Sequence, residues 1–159
     1  MKTAVIYYSF GGNCALVAET IKAAIGADTF EVKTKNAKKR TGFAKYFWGG
    51  AQAVFGIKPP IVPLTVDISA YDLVILGTPV WAASPAPAMV SFLNKTVIKG
   101  KKIAIFCCHS GGMKKTLEKF KALLKGNTIV GEIDFQNAAK NGRTGLKPKI
   151  EEWVKSITA

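Results

Sequence analysis

The chain has 159 residues, the size of one ordinary domain, and its composition of 48% hydrophobic and 21% charged residues excludes a disordered or fibrous protein. With 23 Lys and Arg against 10 Asp and Glu, the net charge of +13 favours an anionic partner: a nucleotide cofactor, a nucleic acid, an acidic protein or an anionic membrane. Three cysteines, two of them adjacent, are not a secreted disulfide framework. No apolar run reaches the roughly 20 residues of a membrane span. We expect a cytoplasmic protein.

Short apolar runs alternate with segments of helical periodicity along the chain. The first elements in order are a strand at 4–8, a helix with Cys14, Val17, Ile21 and Ala24 on one face that stops at Gly26, an edge strand at 29–33, and a buried strand at 73–76 that ends at Gly77-Thr78-Pro79. The next are a helix opened by Ser84 as N-cap and by Pro85, a strand at 103–106, and a helix with Met113, Leu117, Phe120 and Leu124 on one face. The last are a strand at 128–133 and a helix striped by Leu146, Ile150, Trp153, Val154 and Ile157.

This alternation predicts a single α/β domain, residues 1–159, with a parallel sheet covered by helices on both faces. Right-handed crossovers bring every strand-to-helix turn to the same edge of the sheet. The turns after Tyr8, Leu76 and Phe106 are therefore expected to converge. Open α/β sheets bind ligands in the crevice at that edge.

A basic segment at about 34–64 does not follow the alternation. Residues 32 to 66 hold seven Lys and Arg, no acid and five aromatic residues. Phe43, Phe47, Gly50 and Val54 fall on one helical face, which favours a short amphipathic helix. The segment is interpreted as a solvated basic loop, as a lid that docks a partner or gates a site, or as contact with a membrane surface. Nucleic-acid binding would explain the charge, but no known binding motif is visible.

The first turn, Ser9 to Asn13, lies between a buried strand and a helix. Unpaired backbone N–H groups at a helix N-terminus bind phosphate readily, and glycines allow close approach. The spacing is neither GxGxxG nor GxxxxGK[ST], which argues against a dinucleotide site or an NTPase. A plain tight turn would also explain the glycines.

The second turn, Thr78 to Pro85, places Trp81 at the ligand edge, where an indole can stack on a flat aromatic ligand. The third turn, Cys107 to Gly112, is small and polar and can offer N–H groups to ligand carbonyls. A thiol redox pair or a metal site at Cys107-Cys108-His109 is disfavoured, because the chain has one His and no CxxC spacing. His109 could act as a proton donor, although a histidine satisfied within its loop is the simpler interpretation.

Three motifs together resemble the flavodoxin family, in order and over essentially the whole chain: Tyr7 to Cys14, Leu76 to Trp81, and Ser110 to Gly112. The resemblance implies a three-layer α/β/α sandwich with a five-stranded parallel sheet of order 2-1-3-4-5. It also implies FMN at the point where the strand order reverses. This strand order is a property of the family and does not follow from these residues alone. By resemblance, the phosphate loop comprises Ser9, Phe10, Gly11, Gly12, Asn13 and Cys14. The loop beside the isoalloxazine ring comprises Thr78, Pro79, Val80, Trp81 and Ala82. The third flavin loop comprises Cys108, His109, Ser110, Gly111 and Gly112.

The chain departs from the family pattern at several positions. Gly11 and Cys14 stand where Ser or Thr is usual, so two hydroxyl hydrogen bonds are missing, each worth about 0.5–1.5 kcal/mol, and FMN binding is expected to be weaker. An aromatic side chain is missing from the third loop, where His109 or a residue from 43–48 would substitute. Glycine is common in relatives at Ala83 or its neighbour, and alanine resists positive φ.

The expected function is FMN-dependent electron transfer, with no catalytic residue other than the flavin's own chemistry. An NAD(P)H or quinone reductase is the alternative, and a flavin-free basic binding module is the competing class. Electron-carrier flavodoxins are typically acidic, so a chain at +13 needs a different surface. The charge predicts an acidic redox protein or an anionic small molecule such as NAD(P)H, or a quinone, as partner. It also predicts a higher two-electron potential, because positive charge favours the anionic reduced flavin.

Overall fold

The computed structural model describes residues 1–35, 51 and 54–159. Its strands are β1 (Thr3–Tyr8), β2 (Asp28–Val32), β3 (Leu73–Trp81), β4 (Ser84–Pro85), β5 (Lys102–His109) and β6 (Thr128–Gln136). Its helices are α1 (Asn13–Ile25), α2 (Pro87–Lys95), α3 (Thr116–Ala122) and α4 (Ala138–Thr158), with a short 3₁₀ helix at Ile68–Ala70.

The sheet has the order β2-β1-β3-β5-β6, and these five strands are parallel. The two-residue β4 lies off this path and pairs with β3 in antiparallel fashion. Counting the parallel strands alone, the order is 2-1-3-4-5, so the predicted fold class is confirmed. Strand order reverses between β1 and β3, because the chain leaves β1 for β2 on one side and returns to β3 on the other.

Each face of the sheet carries its own apolar core. On one face Val5, Ile75 and Phe106 belong to the cluster of α1 and α4; on the other, Ile6 and Leu76 belong to the cluster of α2 and α3. The predicted stripe of the last helix is confirmed at all five positions: Leu146, Ile150, Trp153, Val154 and Ile157 are buried. Burial on both faces explains why β1 and β5 read as continuous apolar runs.

The predicted buried face of α1 is wrong at one position. Cys14, Val17 and Ile21 are buried, but Ala24 is exposed. The larger Ile25 packs against the core at this end of the helix instead. Gly26 ends the helix as predicted, with φ 66° and its N–H donated to the Lys22 carbonyl.

The second turn departs most from the prediction. β3 does not end at Gly77 to Pro79 but continues to Trp81, because Val80 and Trp81 pair with β4 in a hairpin. Ser84 and Pro85 are therefore strand residues and not the start of a helix. α2 begins at Pro87 after Ala86, with no side-chain cap.

Other predicted elements also have different bounds. β5 continues beyond 106 to His109, so Cys107 to His109, predicted as the start of the third turn, are strand residues paired with β6. β6 runs three residues beyond 133, to Gln136, where it continues to pair with β5. The third helix starts only at Thr116, and Met113, predicted on its buried face, is 38% exposed. Lys114 has φ 48°, a left-handed conformation that interrupts a helix between Met113 and Thr116.

The ends of the basic segment meet beside β2. Thr34 and Ile61 form an antiparallel bridge, the Lys35 N–H donates to the Pro60 carbonyl at 2.9 Å, and the Val62 N–H donates to the Lys33 carbonyl at 2.7 Å. Most of the predicted amphipathic helix lies outside the described residues, including Phe43, Phe47 and Gly50; Val54 is described and is 69% exposed. Among the residues described, no helix combines the length and the apolar character needed to cross a membrane.

Candidate functional site

The predicted convergence of three turns is observed at the carboxyl edge of the sheet, where β1, β3 and β5 are neighbours. The Trp81 ring joins the first two turns. It meets the Tyr8 ring edge to face, with centroids 5.9 Å apart, and the Phe10 ring likewise at 5.4 Å. Trp81 and Phe10 both keep solvent access, and Phe10 is 38% exposed. The indole therefore makes two edge-to-face ring contacts at the rim of the crevice and is not buried in the core.

The first turn forms an open backbone cradle at the start of α1. Gly12 is the residue before the helix, with φ 85° and no side-chain cap. The Ser9 hydroxyl oxygen accepts the Ala15 N–H at 3.2 Å. N–H groups in the first turn of an α-helix have no partner within the helix, which leaves those of Asn13 and Cys14 available for an anion.

Glycines at the sheet edge and glycines in the core are there for different reasons. A Cβ at Gly77 would overlap the Phe106 ring, so close packing requires glycine there. A Cβ at Gly12 or Gly111 would meet nothing within 4 Å. No packing contact explains these edge glycines, and side chains there would fill open space in front of the crevice.

The Asn13 and Cys14 side chains point away from the cradle. Asn13 Oδ1 accepts the Ala139 N–H at 2.8 Å and so ties α1 to the first turn of α4. Cys14 is buried beside Cys108, and burial, reinforced by the hydrogen bond between the two thiols, raises the Cys14 pKa well above its usual value. Both residues can contribute backbone N–H groups to a ligand.

Thr78 stabilises the β3–β4 hairpin through hydrogen bonds of its side chain. This side chain is fully buried; its Oγ1 accepts the Ala86 N–H at 2.8 Å and donates to the Pro79 carbonyl at 3.1 Å. The hairpin turns at Ala82 and Ala83, whose φ angles are 47° and 56°. Both alanines thus occupy the left-handed region that alanine resists, because a two-residue hairpin loop of this type requires positive φ at both positions.

The third turn is organised around His109, whose side chain is 7% exposed. Its Nδ1 accepts the Gly112 N–H at 2.9 Å, and its Nε2 lies 2.8 Å from Asp134 Oδ2. These partners place the proton on Nε2, which donates to the carboxylate. Both ring nitrogens are occupied, so His109 shapes the turn and has no free proton donor for the crevice.

Two residues that stabilise this turn were not predicted from the sequence. Asp134 faces His109, and Gln136 Nε2 donates to the Ser110 carbonyl at 3.0 Å. Both lie on β6, where Asp134 is paired with Cys107 and Gln136 with His109. The sequence does show two polar residues, Asp134 and Gln136, at alternate positions near the end of a strand. That pattern identifies their partners only when the pairing of β6 with β5 is known.

The thiols do not form a reactive pair. Burial raises the Cys107 pKa to about 12, with a smaller contribution from the charge of Asp134. Because the thiolate is the nucleophile and the metal ligand, Cys107 stays protonated and inert near neutral pH. In residues 1–35, 51 and 54–159, no three His, Cys, Asp or Glu side chains are grouped to hold a metal ion.

Comparison with known proteins identifies the family. The family model described as flavodoxin matches residues 2–157. The chain belongs to the flavodoxin family. No curated protein matches the sequence.

Solved flavoproteins share the fold at low sequence identity. The flavoprotein of Lactobacillus acidophilus NCFM, solved in complex with FMN, is similar over 96% of this chain and 98% of its own, with 23% identity and a TM-score of 0.74. A protein from Bacteroides uniformis ATCC 8492 is similar over 97% of both chains, with 18% identity and a TM-score of 0.80. Oxidised flavodoxin 2 of Bacillus cereus covers 98% of this chain and 99% of its own, with 17% identity and a TM-score of 0.57. These similarities establish the shared flavodoxin fold.

Proposed function

We propose that this flavodoxin-family chain binds FMN between its three turns and transfers electrons through it. The observation that carries the proposal is Trp81, held at the crevice rim by Tyr8 and Phe10, directly beside the open first turn of α1. Both features lie where β1 and β3 reverse the strand order, which is where open α/β sheets bind their ligands. The structurally similar Lactobacillus acidophilus protein was solved with FMN, which supports the same cofactor here.

The donor groups present fit the two ends of FMN. The Ser9 hydroxyl and the N–H groups of Gly12, Asn13 and Cys14 would hold the phosphate, because a helix N-terminus carries partial positive charge. The Trp81 indole would lie against the flat isoalloxazine ring. Backbone N–H groups of the third turn, among them that of Gly111, would bind ring carbonyls. When bound, FMN supplies the electron chemistry.

Among the residues that the structure describes, those at this edge contribute binding and shielding and no acid–base chemistry. His109 is engaged through both nitrogens, and the Cys14 and Cys107 thiols are held protonated by burial. This arrangement supports a carrier of electrons.

The net charge of +13 supports an anionic partner: an acidic redox protein or a small molecule such as NAD(P)H. A quinone is the candidate small-molecule electron acceptor. We expect the rate of reduction by an acidic partner to fall with added salt, because exposed charges are screened within about 10 Å at 0.1 M. The same charge is expected to raise the two-electron potential above that of acidic relatives, which a dye-equilibrated titration measures.

The first test is the visible spectrum of the purified chain and its titration with FMN and with riboflavin. We expect yellow protein, or binding of added FMN, with FMN bound more tightly than riboflavin because only FMN carries the phosphate. Protein that stays colourless in excess FMN would refute the proposal. NAD(P)H oxidation with an added quinone then distinguishes a reductase from a carrier.

Two glycines at opposite ends of α1 provide a matched pair of variants. Gly12 and Gly26 both have positive φ, at 85° and 66°, and a Cβ on either meets nothing within 4 Å. Gly12→Ala and Gly26→Ala therefore strain the backbone similarly, by about 1–2 kcal/mol. Only Gly12→Ala places a methyl group in the cradle. We expect it alone to remove the preference for FMN over riboflavin; equal loss in Gly26→Ala would place the phosphate elsewhere.

A further inference from the structure

A second concave site lies behind the β3–β4 hairpin, away from the proposed flavin crevice. It is a cavity of about 250 Å³ between β4, α2, the end of α3 and residues 56–58. Its walls are formed by Gly56, Ile57, Lys58, Ser84, Pro85, Pro87, Val90, Lys119 and Leu123. The volume is slightly below the roughly 300–1,000 Å³ of typical ligand pockets, so it suits a compact molecule.

The walls are mostly apolar, and part of that apolar surface is left in water. Ile57 is 47% exposed and Leu123 is 42% exposed, and both line the cavity. Val90, Pro85 and Pro87 complete the apolar lining. Covering such surface releases about 25 cal/mol per Å² buried, which favours an occupant with an apolar body.

Among the described residues that line the cavity, the charged ones are Lys58 and Lys119, and none is acidic. Lys119 Nζ donates to the Ser84 hydroxyl oxygen at 2.7 Å, which uses one of its three N–H donors and anchors the ammonium between α3 and β4. Two donors remain for an occupant. The charge therefore selects an anion over a cation.

We propose that this cavity binds a compact organic anion, with an apolar body against Val90 and Leu123 and its anionic group at Lys58 and Lys119. The site is separate from the FMN crevice and does not require flavin. It is nevertheless adjacent to the crevice, because Ser84, which lines the cavity, is paired with Trp81 across the hairpin.

The test uses two probes of the same shape and different charge, 2-naphthoate and the neutral 2-naphthamide. Calorimetric titration of the FMN-saturated chain gives their affinities, and methyl NMR locates them. We expect naphthoate to shift the Val90 and Leu123 methyl signals and to bind about tenfold more tightly than naphthamide, since each exposed ion pair contributes up to roughly fivefold. Shifts confined to the first turn and Trp81, or equal affinities for both probes, would overturn the proposal.

Variants separate the two lysines from the general positive charge of the chain. The double variant Lys58→Met and Lys119→Met keeps an unbranched apolar side chain and removes both ammonium groups; naphthoate affinity is expected to fall to that of naphthamide. Lys125→Met removes an exposed charge near the end of α3 that does not line the cavity. It is expected to leave both affinities within about twofold. An equal loss in Lys125→Met would show non-specific attraction and refute the assigned site.

Discussion

The two alanines at the tip of the β3–β4 hairpin are expected to strain the native chain. Ala82 and Ala83 have φ angles of 47° and 56°, in the left-handed region that glycine occupies without cost. An L-residue with a Cβ pays roughly 1–2 kcal/mol there, because the Cβ approaches the following carbonyl oxygen. Replacing either alanine by glycine should therefore stabilise the fold.

The magnitude is smaller than the strain alone, because glycine also loses more conformational freedom on folding. That entropy costs about 0.5–1 kcal/mol relative to alanine. The net gain is about 0.5–1 kcal/mol at each position, and about 1–2 kcal/mol for the double variant Ala82→Gly, Ala83→Gly. For a chain of this length, each kcal/mol raises Tm by about 2–4 °C.

Urea denaturation and thermal unfolding of the FMN-free protein measure this gain without a contribution from ligand. The control is Ala23→Gly, at an exposed position inside α1, which should lower the free energy of unfolding by about 1 kcal/mol. Opposite signs at the hairpin and in the helix are the expected result. Destabilisation at all three positions would show that the hairpin alanines are not strained.

Three further predictions concern packing, alkaline pH and the imidazole. Gly77→Ala should lower the free energy of unfolding in urea by about 1–3 kcal/mol, because its Cβ would overlap the buried Phe106 ring. The control Gly111→Ala has open space at its Cβ, so its free energy of unfolding should stay within about 0.5 kcal/mol of the parent value. Burial raises the pKa of Tyr7 and of Tyr8 from 10.0 to about 12, so the unfolded chain loses these protons at lower pH than the folded chain. The free energy of unfolding should therefore keep this contribution below pH 10 and lose it between pH 10 and about 12. Full development of tyrosinate absorbance in the folded protein near pH 10 would contradict this. Imidazole ¹⁵N NMR of the single histidine should show a protonated Nε2 and an unprotonated Nδ1, and the reverse tautomer would disprove the arrangement around His109.

The sequence alone determined the class of fold, because apolar spacing records which face of an element is covered. Continuous apolar runs require a strand buried on both faces, and the 3.6-residue stripe of α4 requires a helix buried on one. Parallel strands with right-handed crossovers then bring the turns after β1, β3 and β5 to one edge. The contact between the Phe10 and Trp81 rings additionally requires β1 and β3 to be neighbours in the sheet, which these local patterns do not determine.

Only the tertiary structure decided where the polar side chains at that edge point. Asn13 Oδ1 is taken by the Ala139 N–H, 126 residues along the chain, and His109 is taken by Asp134 on the neighbouring strand. Thr78 is turned inward because the hairpin brings the Ala86 N–H above it. A hydrogen bond between residues far apart in the chain produces no periodic pattern in the sequence. The partner that a side chain finds depends on strand register and on competition among several nearby acceptors. Residue type therefore predicts that a polar group needs a partner, and the packed fold decides whether that partner is the protein or a ligand.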